Sequence, residues 1–198
     1  MEKTYLTTAE TAKLVRKELK KNFPGVKFSV RSDGNALRIE YTDGPLSSEV
    51  KKITDGYSGA GFDGMVDYEY YKSHYYNELT GEVCLAVNQG SACTGGYVEK
   101  EVGSVPTGEG WKLVSFGSKY VFVTHHLSTE VLEEAVEMTS KKLGFDSNLV
   151  EVVPSSYGAW VKTDKLVQSC GWSNETQWKV NEITKNAKLI SAGNYLAN

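Results

Sequence analysis

The clearest pattern of apolar and polar positions lies near the amino terminus, where apolar residues recur at helical spacing over residues 8–22: Ala12, Val15 and Leu19. Thr7 and Glu10 form a T-x-x-E capping box at the start of this segment. The proline and glycine at 24–25 end it, because they do not continue a helix. The pattern therefore predicts a helix over residues 8–22.

Two alternating segments follow this helix and predict a β-hairpin. Residues 27–32 (KFSVRS) place Phe28 and Val30 on one side of a strand, and residues 36–42 (ALRIEYT) alternate in the same way. The D-G-N between the two segments is a turn signal. A second helix is predicted over residues 47–57, after the D-G-P turn.

The middle of the chain is richer in glycine and predicts strands separated by a long loop. Residues 83–88 (VCLAVN) are predicted to form a strand, and residues 89–110, with six glycines, a loop. Residues 111–126 alternate on both sides of Gly117-Ser118, which suits a tight turn. This segment is therefore predicted to be a hairpin.

A third helix is predicted to begin after the cap residue Ser128, with a buried stripe of five residues: Leu132, Ala135, Val136, Thr139 and Leu143. Two further strands are predicted at NLVEVV (148–153) and YGAWVKT (157–163). Residues 173–192 have poor periodicity and receive no assignment.

These elements predict an α+β fold in which helices cover antiparallel sheet. Residues 9–43 and 130–164 both follow the order helix, strand, turn, strand, which suggests two αββ units in a pseudo-repeat. We expect a domain over residues 1–145 with a carboxyl-terminal extension, 146–198, packed on it, or a single domain throughout.

Composition indicates an ordinary folded protein of the reduced cytosol. The 198 residues carry a net charge of −3, and no apolar run reaches the ~20 residues of a membrane span. The amino-terminal segment has no apolar stretch typical of a secretory signal. The three cysteines form no C-x-x-C pair that would indicate a disulfide framework or a zinc site: Cys84, Cys93 and Cys170.

The charge is unevenly distributed, because residues 1–31 contain eight Lys or Arg and only three Glu. Six of these basic residues are candidates for binding nucleic-acid phosphates or an acidic partner: Lys13, Lys17, Lys20, Lys21, Lys27 and Arg31. A solvated helix face remains the alternative. The chain has only three arginines, so any nucleic-acid contact is expected to be directed at the backbone rather than at base edges.

A second candidate surface is the tyrosine-rich segment DYEYYKSHYY, with five candidate rings: Tyr68, Tyr70, Tyr71, Tyr75 and Tyr76. Exposed tyrosines suit base stacking or a protein interface, and ordinary sheet packing is the third alternative. The neighbouring carboxylates of Asp67, Glu69 and Glu78 oppose phosphate, so the sequence favours a protein partner over nucleic acid.

Other candidate chemistry is weakly indicated. Asp63, Asp67 and His74 could hold a metal ion, but Asp-Gly is also an ordinary turn signal. No phosphate-binding glycine motif is present. We therefore predict no cofactor and no metal site.

A thiol nucleophile would have to be Cys93, with His125 or His126 as its base. Nothing in the sequence places these residues together, and adjacent histidines in a strand point to opposite faces. We therefore predict no catalytic residue and no enzyme activity.

Three blocks in the amino-terminal half carry a family resemblance: T-A-x-x-A-K-x-x-R-K-x-L-K-x-x-F-P-G-V-K-F-S-V-R-S (8–32), Y-T-D-G-P (41–45) and F-D-G-M-x-D (62–67). Together they resemble large polyvalent protein-associated domain 29, and YVFVTHHLS (120–128) extends the likeness. Members often have Trp where this chain has Tyr41, which keeps an aromatic ring. The resemblance implies a protein of phages or plasmids and no established catalytic residue.

From this resemblance we expect a non-enzymatic interaction protein in the cytoplasm of a bacterial host. Its expected partner is a defence protein or ribonucleoprotein complex, such as a CRISPR-Cas or restriction system, which it inhibits by binding. The alternatives are a nucleic-acid-binding protein that escorts transferred DNA or RNA and an enzyme acting on a defence component. Wholesale mimicry of DNA is disfavoured, because the 25 acidic residues are interleaved with 22 basic ones.

Overall fold

A computed structural model describes residues 2–65, 67–91, 97–101, 104–170 and 174–196. Its strands are β1 (Lys3–Leu6), β2 (Ser29–Asp33), β3 (Ala36–Thr42), β4 (Ala60–Asp63), β5 (Tyr68–Asn77), β6 (Val83–Ser91), β7 (Tyr97–Glu101), β8 (Trp111–Phe116), β9 (Tyr120–His126), β10 (Glu151–Ser155) and β11 (Gly158–Lys162). Its α-helices are α1 (Thr8–Asn22), α2 (Ser47–Thr54), α3 (Thr129–Leu143), α4 (Asp164–Cys170) and α5 (Asn174–Leu196). The predicted α+β class is confirmed.

The chain divides into two compact units. The first comprises residues 1–39 and 48–123, and the second comprises residues 40–47 and 124–198. The second unit includes α3, which the sequence assigned to the amino-terminal domain. In the described part of the chain, no helix combines the length and apolar character that a bilayer span requires.

Helix α1 has the predicted bounds, and its capping box is formed. The Glu10 backbone N–H donates to the Thr7 hydroxyl at 3.2 Å, and the Thr7 backbone N–H donates to the Glu10 carboxylate at 2.8 Å. The Thr7 hydroxyl also donates to the Glu10 carboxylate at 2.7 Å, and this bond, with that from the Thr7 N–H, lowers the pKa of Glu10. At the other end, the Phe23 N–H donates to the Leu19 carbonyl. Local signals therefore determine both ends of the helix.

The first unit is built on a sheet with the strand order β1-β8-β5-β6-β7, in which β4 also pairs with β5. Strand β1 runs parallel to β8, and the other neighbours are antiparallel. Strand β7 lies within residues 89–110, so the prediction of a continuous loop there is wrong. The six glycines of that segment favoured a loop, although YVEKE (97–101) forms a strand that pairs with β6.

Residues 111–126 do not form the predicted hairpin. Strand β8 lies between β1 and β5, whereas β9 joins β2 and β3 in a separate three-stranded sheet. Gly117 does not form the predicted tight turn; its lack of a side chain lets the backbone at residues 6–8 lie close to it. A Cβ atom at Gly117 would lie 2.6 Å from the Leu6 carbonyl oxygen and 2.7 Å from the Thr8 nitrogen.

Strands β2 and β3 and the second helix agree with the sequence, whereas β1 and β4 were not predicted. Strands β2 and β3 are neighbours, and Gly34 turns between them with a φ of 57°. The predicted second helix is α2 followed by a 3₁₀ turn at Asp55–Tyr57. Val50 and Tyr57 are buried on its inner side.

The second unit contains α3, the antiparallel β10–β11 hairpin, α4 and α5. The Ser128 hydroxyl caps α3 by accepting the Val131 N–H, as predicted, and Gly144 ends the helix with a φ of 70°. The order α3-β10-β11 repeats the order α1-β2-β3, which confirms the two predicted αββ segments. Among the described residues of this unit, nine form a buried apolar core: Leu127, Val131, Leu132, Ala135, Val136, Val150, Leu166, Ile183 and Ala187.

Helix α5 is 23 residues long, although its sequence received no assignment. Its buried positions include four polar residues: Thr176, Lys179, Asn186 and Ser191. The Asn186 amide donates to the Thr139 hydroxyl at 2.8 Å, which satisfies both groups inside the unit. A partly polar inner face explains why hydrophobic periodicity was poor.

Candidate functional site

The six basic residues predicted to meet an acidic partner are all exposed, and we call them the basic surface: Lys13, Lys17, Lys20, Lys21, Lys27 and Arg31. Lys13, Lys17 and Lys20 are separated by four and three positions, so they share one face of α1. Lys21 follows directly. The structure therefore places four ammonium groups in a ridge along a single helix.

Most of this positive charge is not neutralised by the protein itself. Within the described residues, Lys13, Lys17, Lys20 and Lys27 form no salt bridge. Lys21 differs, because its Nζ donates to the Thr80 carbonyl at 2.8 Å. A row of unpaired ammonium groups attracts anionic surfaces over roughly a Debye length, about 8 Å at physiological salt.

The helix and the strand that carry the basic surface are in contact. The Arg16 guanidinium on α1 donates to the carbonyl oxygen of Val30 on β2. Val30 is buried, whereas its neighbour Arg31 is exposed. This bond fixes β2 beside α1.

A second surface lies where β4 pairs with β5. Phe62 is opposite Glu69 and Ala60 is opposite Tyr71, so Phe62, Glu69 and Tyr71 point to one face of this ribbon. Four apolar side chains among the described residues of this region and of β9 are exposed by about half or more, and we call them the aromatic surface: Phe62 (57%), Met65 (93%), Tyr71 (53%) and Phe122 (48%). Phe122 is joined to the others through Tyr120, whose ring centroid lies 6.4 Å from its own. Of these four residues, sequence analysis identified only Tyr71.

Hydrogen bonds through Glu69 link the β5 part of the aromatic surface to Lys119 and to Tyr120 on β9. The Glu69 carboxylate accepts hydrogen bonds from Lys119 and, at 2.6 Å, from the Tyr120 hydroxyl. These bonds lower the pKa of Glu69 and raise the pKa values of Lys119 and Tyr120. The charge of Glu69, which the sequence counted against phosphate binding, is therefore compensated internally.

Two cations of the same unit lie over rings of the aromatic surface. The Lys119 Nζ is 5.3 Å from the centroid of the Tyr71 ring, and the Arg38 guanidinium carbon is 5.5 Å from that of Phe122. Arg38 also pairs with Asp33 at 2.8 Å. Cation–π contacts of this kind stabilise the orientation of an exposed ring. The apolar run YVFV (120–123) was the sequence signal that could have pointed to Phe122, because successive residues of a strand face opposite sides.

The other predicted interface tyrosines are placed differently. Tyr76 is only 5% exposed, so its assignment to an interface is wrong: the ring is part of the core. Burial, with the nearby Glu18 charge, raises the pKa of Tyr76. Tyr68, Tyr70 and Tyr75 are half-buried. The Tyr70 ring covers Gly61, where a Cβ atom would lie 2.4 Å from it.

The F-D-G-M block forms a turn. The Asp63 carboxylate accepts the Met65 N–H at 2.9 Å, and Asp67 adopts a φ of 51°. His74, the third residue considered for a metal, is buried in β5 against the Phe116 ring. Over the ranges that the structure describes, no three His, Cys, Asp or Glu residues are arranged to hold a metal ion.

Of the residues considered for thiol chemistry, the structure describes only the two histidines. Cys93 lies outside the described residues. His125 stacks on Tyr41 with ring centroids 4.6 Å apart, and His126 stacks on Tyr157 at 5.8 Å. Burial lowers the pKa of His125. Each histidine therefore has its own aromatic partner.

The Y-T-D-G-P block also has a structural role. The Tyr41 hydroxyl donates to the Pro45 carbonyl at 3.0 Å, which closes the turn. Asp43 adopts a φ of 54°; its N–H donates to the His126 carbonyl, and its carboxylate accepts the Ser128 N–H, both at 2.9 Å. The turn is thus bound to the segment that begins α3.

Comparison with known proteins identifies one family. The family model of large polyvalent protein associated domain 29 matches residues 6–128, which is more than half of the chain. This span extends the resemblance seen in the sequence blocks through β9. No curated protein and no solved structure matches the chain.

Proposed function

The chain belongs to the large polyvalent protein associated domain 29 family, whose members are associated with phages and other mobile elements, and from this premise we propose that it is a non-enzymatic interaction protein. It binds a component of a bacterial defence system, such as a CRISPR-Cas or restriction complex, and inhibits it. The aromatic surface is the observation that supports this proposal.

The aromatic surface has the composition of a protein-binding patch. Its exposed residues are three aromatic rings and a methionine, which are enriched in interfaces over the remaining protein surface. The rings of Tyr71 and Phe122 are oriented by cations, so little conformational entropy is lost when a partner covers them. Lys119 and Glu69 neutralise each other, which suits a largely uncharged partner surface.

The proposal is tested by removing two rings. Phe62→Ser and Tyr71→Ser should each weaken binding to the defence component roughly 30-fold, because each ring is a candidate hot spot worth about 2 kcal/mol. Tyr5→Ser is the matched control, since Tyr5 is an exposed ring on β1 outside the aromatic surface. Plasmid-challenge assays against restriction and CRISPR-Cas systems measure protection. Absence of protection by the unmodified protein across the panel would refute the proposal.

The basic surface supports a second candidate, a protein that coats or escorts transferred DNA or RNA. Lys13, Lys17 and Lys20 are exposed and form no salt bridge among the described residues, as phosphate contacts require. Each duplex phosphate contact contributes about 0.9 to the slope of log K against log salt concentration. Three contacts therefore predict a slope of about −2.7 from this helix alone.

Charge reversal separates the two candidates. Lys13→Glu, Lys17→Glu and Lys20→Glu together should abolish salt-dependent binding to DNA or RNA if the basic surface holds phosphates. A variant with Lys51, Lys141 and Lys165 changed to Glu has the same net charge and is the control. Fluorescence anisotropy at several salt concentrations measures the slope. The second candidate fails if the unmodified protein shows no binding at about 50 mM salt.

A further inference from the structure

A cleft that neither the family nor the proposed function accounts for lies in the first unit, between α1, α2 and the start of β6. Its volume is about 250 Å³, and its wall includes four polar side chains and two apolar ones: Glu18, Asn22, Lys52, Tyr57, Ile53 and Val83. This volume suits a molecule of a few heavy atoms, smaller than a drug-sized ligand.

Glu18 is the unusual residue of the cleft. Its side chain is only 9% exposed, although it carries a carboxylate. Its hydrogen bond from the Asn22 amide is long, at 3.4 Å, because the same amide donates to the Glu18 backbone carbonyl at 2.8 Å. The Lys21 Nζ is 3.9 Å away. A buried carboxylate ordinarily accepts several short hydrogen bonds, so this one has capacity for another donor.

The backbone at Gly81 lies directly against the Glu18 carboxylate. A Cβ atom at Gly81 would lie 1.9 Å from the Glu18 carboxylate, and Gly81 has a φ of 82°. The Tyr57 hydroxyl donates to the Gly81 carbonyl at 3.3 Å. Burial and the Glu18 charge raise the pKa of Tyr57. The carboxylate is thus held in a small, weakly solvated site.

The α2 side of the cleft carries a positive charge, opposite to that of Glu18. Lys52 lines it, and among the described residues Lys52 forms no salt bridge. Ile53 and Val83 give the wall an apolar part. We propose that the cleft binds a small zwitterion of amino-acid size, with its ammonium group on Glu18, its carboxylate on Lys52 and an apolar side chain against Ile53 and Val83.

Three probes with matched carbon skeletons test each charge separately. Leucine carries both groups, 4-methylpentanoate only the carboxylate, and 3-methylbutylamine only the ammonium. In ¹⁵N-HSQC titrations, leucine should shift the amide signals of Gly56, Gly81 and Val83 in a saturable way. Each single-charge probe should bind at least roughly tenfold more weakly, because a charged hydrogen bond is lost.

Two variants assign the charges to residues. Glu18→Gln should weaken the binding of leucine and of 3-methylbutylamine roughly tenfold or more and leave the binding of 4-methylpentanoate unchanged. Lys52→Met should weaken the binding of leucine and of 4-methylpentanoate to the same extent and leave that of 3-methylbutylamine unchanged. Lys51→Met is the control, since the neighbouring Lys51 does not line the cleft. If Glu18→Gln fails to fold, Lys52→Met still tests whether the cleft binds leucine as proposed. The proposal is overturned if leucine gives no saturable shift at 50 mM, roughly the weakest affinity worth assigning. It is also overturned if Lys52→Met binds leucine as tightly as the unmodified protein does. Both outcomes are independent of the protection assays.

Discussion

The buried histidine of β5 provides a quantitative test of the fold of the first unit. His74 is 3% exposed and is paired in register with Leu85 and Val114 on the adjacent strands. Its ring lies 5.1 Å from that of Phe116. Burial, with a smaller effect of the Lys72 charge, lowers the pKa of His74 to about 4. The imidazole is therefore neutral in the folded protein near pH 7.

The direction of the pH dependence follows from this pKa. Because the folded pKa lies below the unfolded value of 6.5, the unfolded state takes up the proton first as the pH falls. The contribution of His74 is complete above about pH 6.5 and is lost as the pH falls toward 4. With these two values, linkage gives a loss of about 2 kcal/mol at pH 5 and about 3 kcal/mol at pH 4.

The assay is urea unfolding at pH 7, 6 and 5, followed by circular dichroism. His74→Leu removes the titrating group and keeps an apolar side chain, so its free energy of unfolding should fall about 2 kcal/mol less between pH 7 and 5 than that of the unmodified protein. Leu85→Met, an apolar change at the β6 residue paired with His74, is the control and should keep the original slope, because it leaves the imidazole in place. Equal losses in His74→Leu and the unmodified protein would refute the reasoning, as would an NMR titration of the His74 ring centred near pH 6.5.

Two substitutions test other close contacts. Gly117→Ala should destabilise the protein by about 1–3 kcal/mol in thermal or urea unfolding, because the new Cβ meets the Leu6 carbonyl, whereas Gly193→Ala in open space on α5 should be neutral or stabilising. Asn186→Ala should cost about 1–3 kcal/mol because it leaves the buried Thr139 hydroxyl without its partner. In that case, a second change, Thr139→Val, should recover part of the loss; unchanged stability of Asn186→Ala would contradict the role assigned to this bond.

Local signals were sufficient for the helices with apolar stripes and good caps. Helix α1 was predicted to the residue because Thr7, Glu10 and the Pro-Gly pair act within a few positions of its ends. Helix α5 was missed because Lys179 and Asn186 are buried, and their contacts with Phe145 and with Thr139 on α3 cannot be read from a local window. The 111–126 hairpin was wrong for the same reason, since the neighbours of β8 are far away in sequence.

For the candidate surfaces too, local patterns identified some residues, and those that depend on contacts between distant strands were missed or misassigned. The lysines of α1 were identified because helical spacing alone determines which side chains share a face. Tyr76 was misassigned because the register of β5 shifts between Ser73 and His74, which interrupts the alternation. Phe62 was missed because its position beside Glu69 depends on the pairing of β4 with β5. The cleft at Glu18 was invisible, since it requires contacts among three elements.

The parallel pairing of β1 with β8 has a consequence for synthesis of the protein. Lys3 pairs with Leu113 and Leu6 with Phe116, so one edge of the sheet joins positions roughly 110 residues apart. On a ribosome, β1 emerges first but has no strand to join until β8 has left the exit tunnel. Helix α1 can form long before that, because its contacts are local. The order of assembly is therefore helix first and sheet edge last, and a translation rate of about 5–20 residues per second sets the minimum wait.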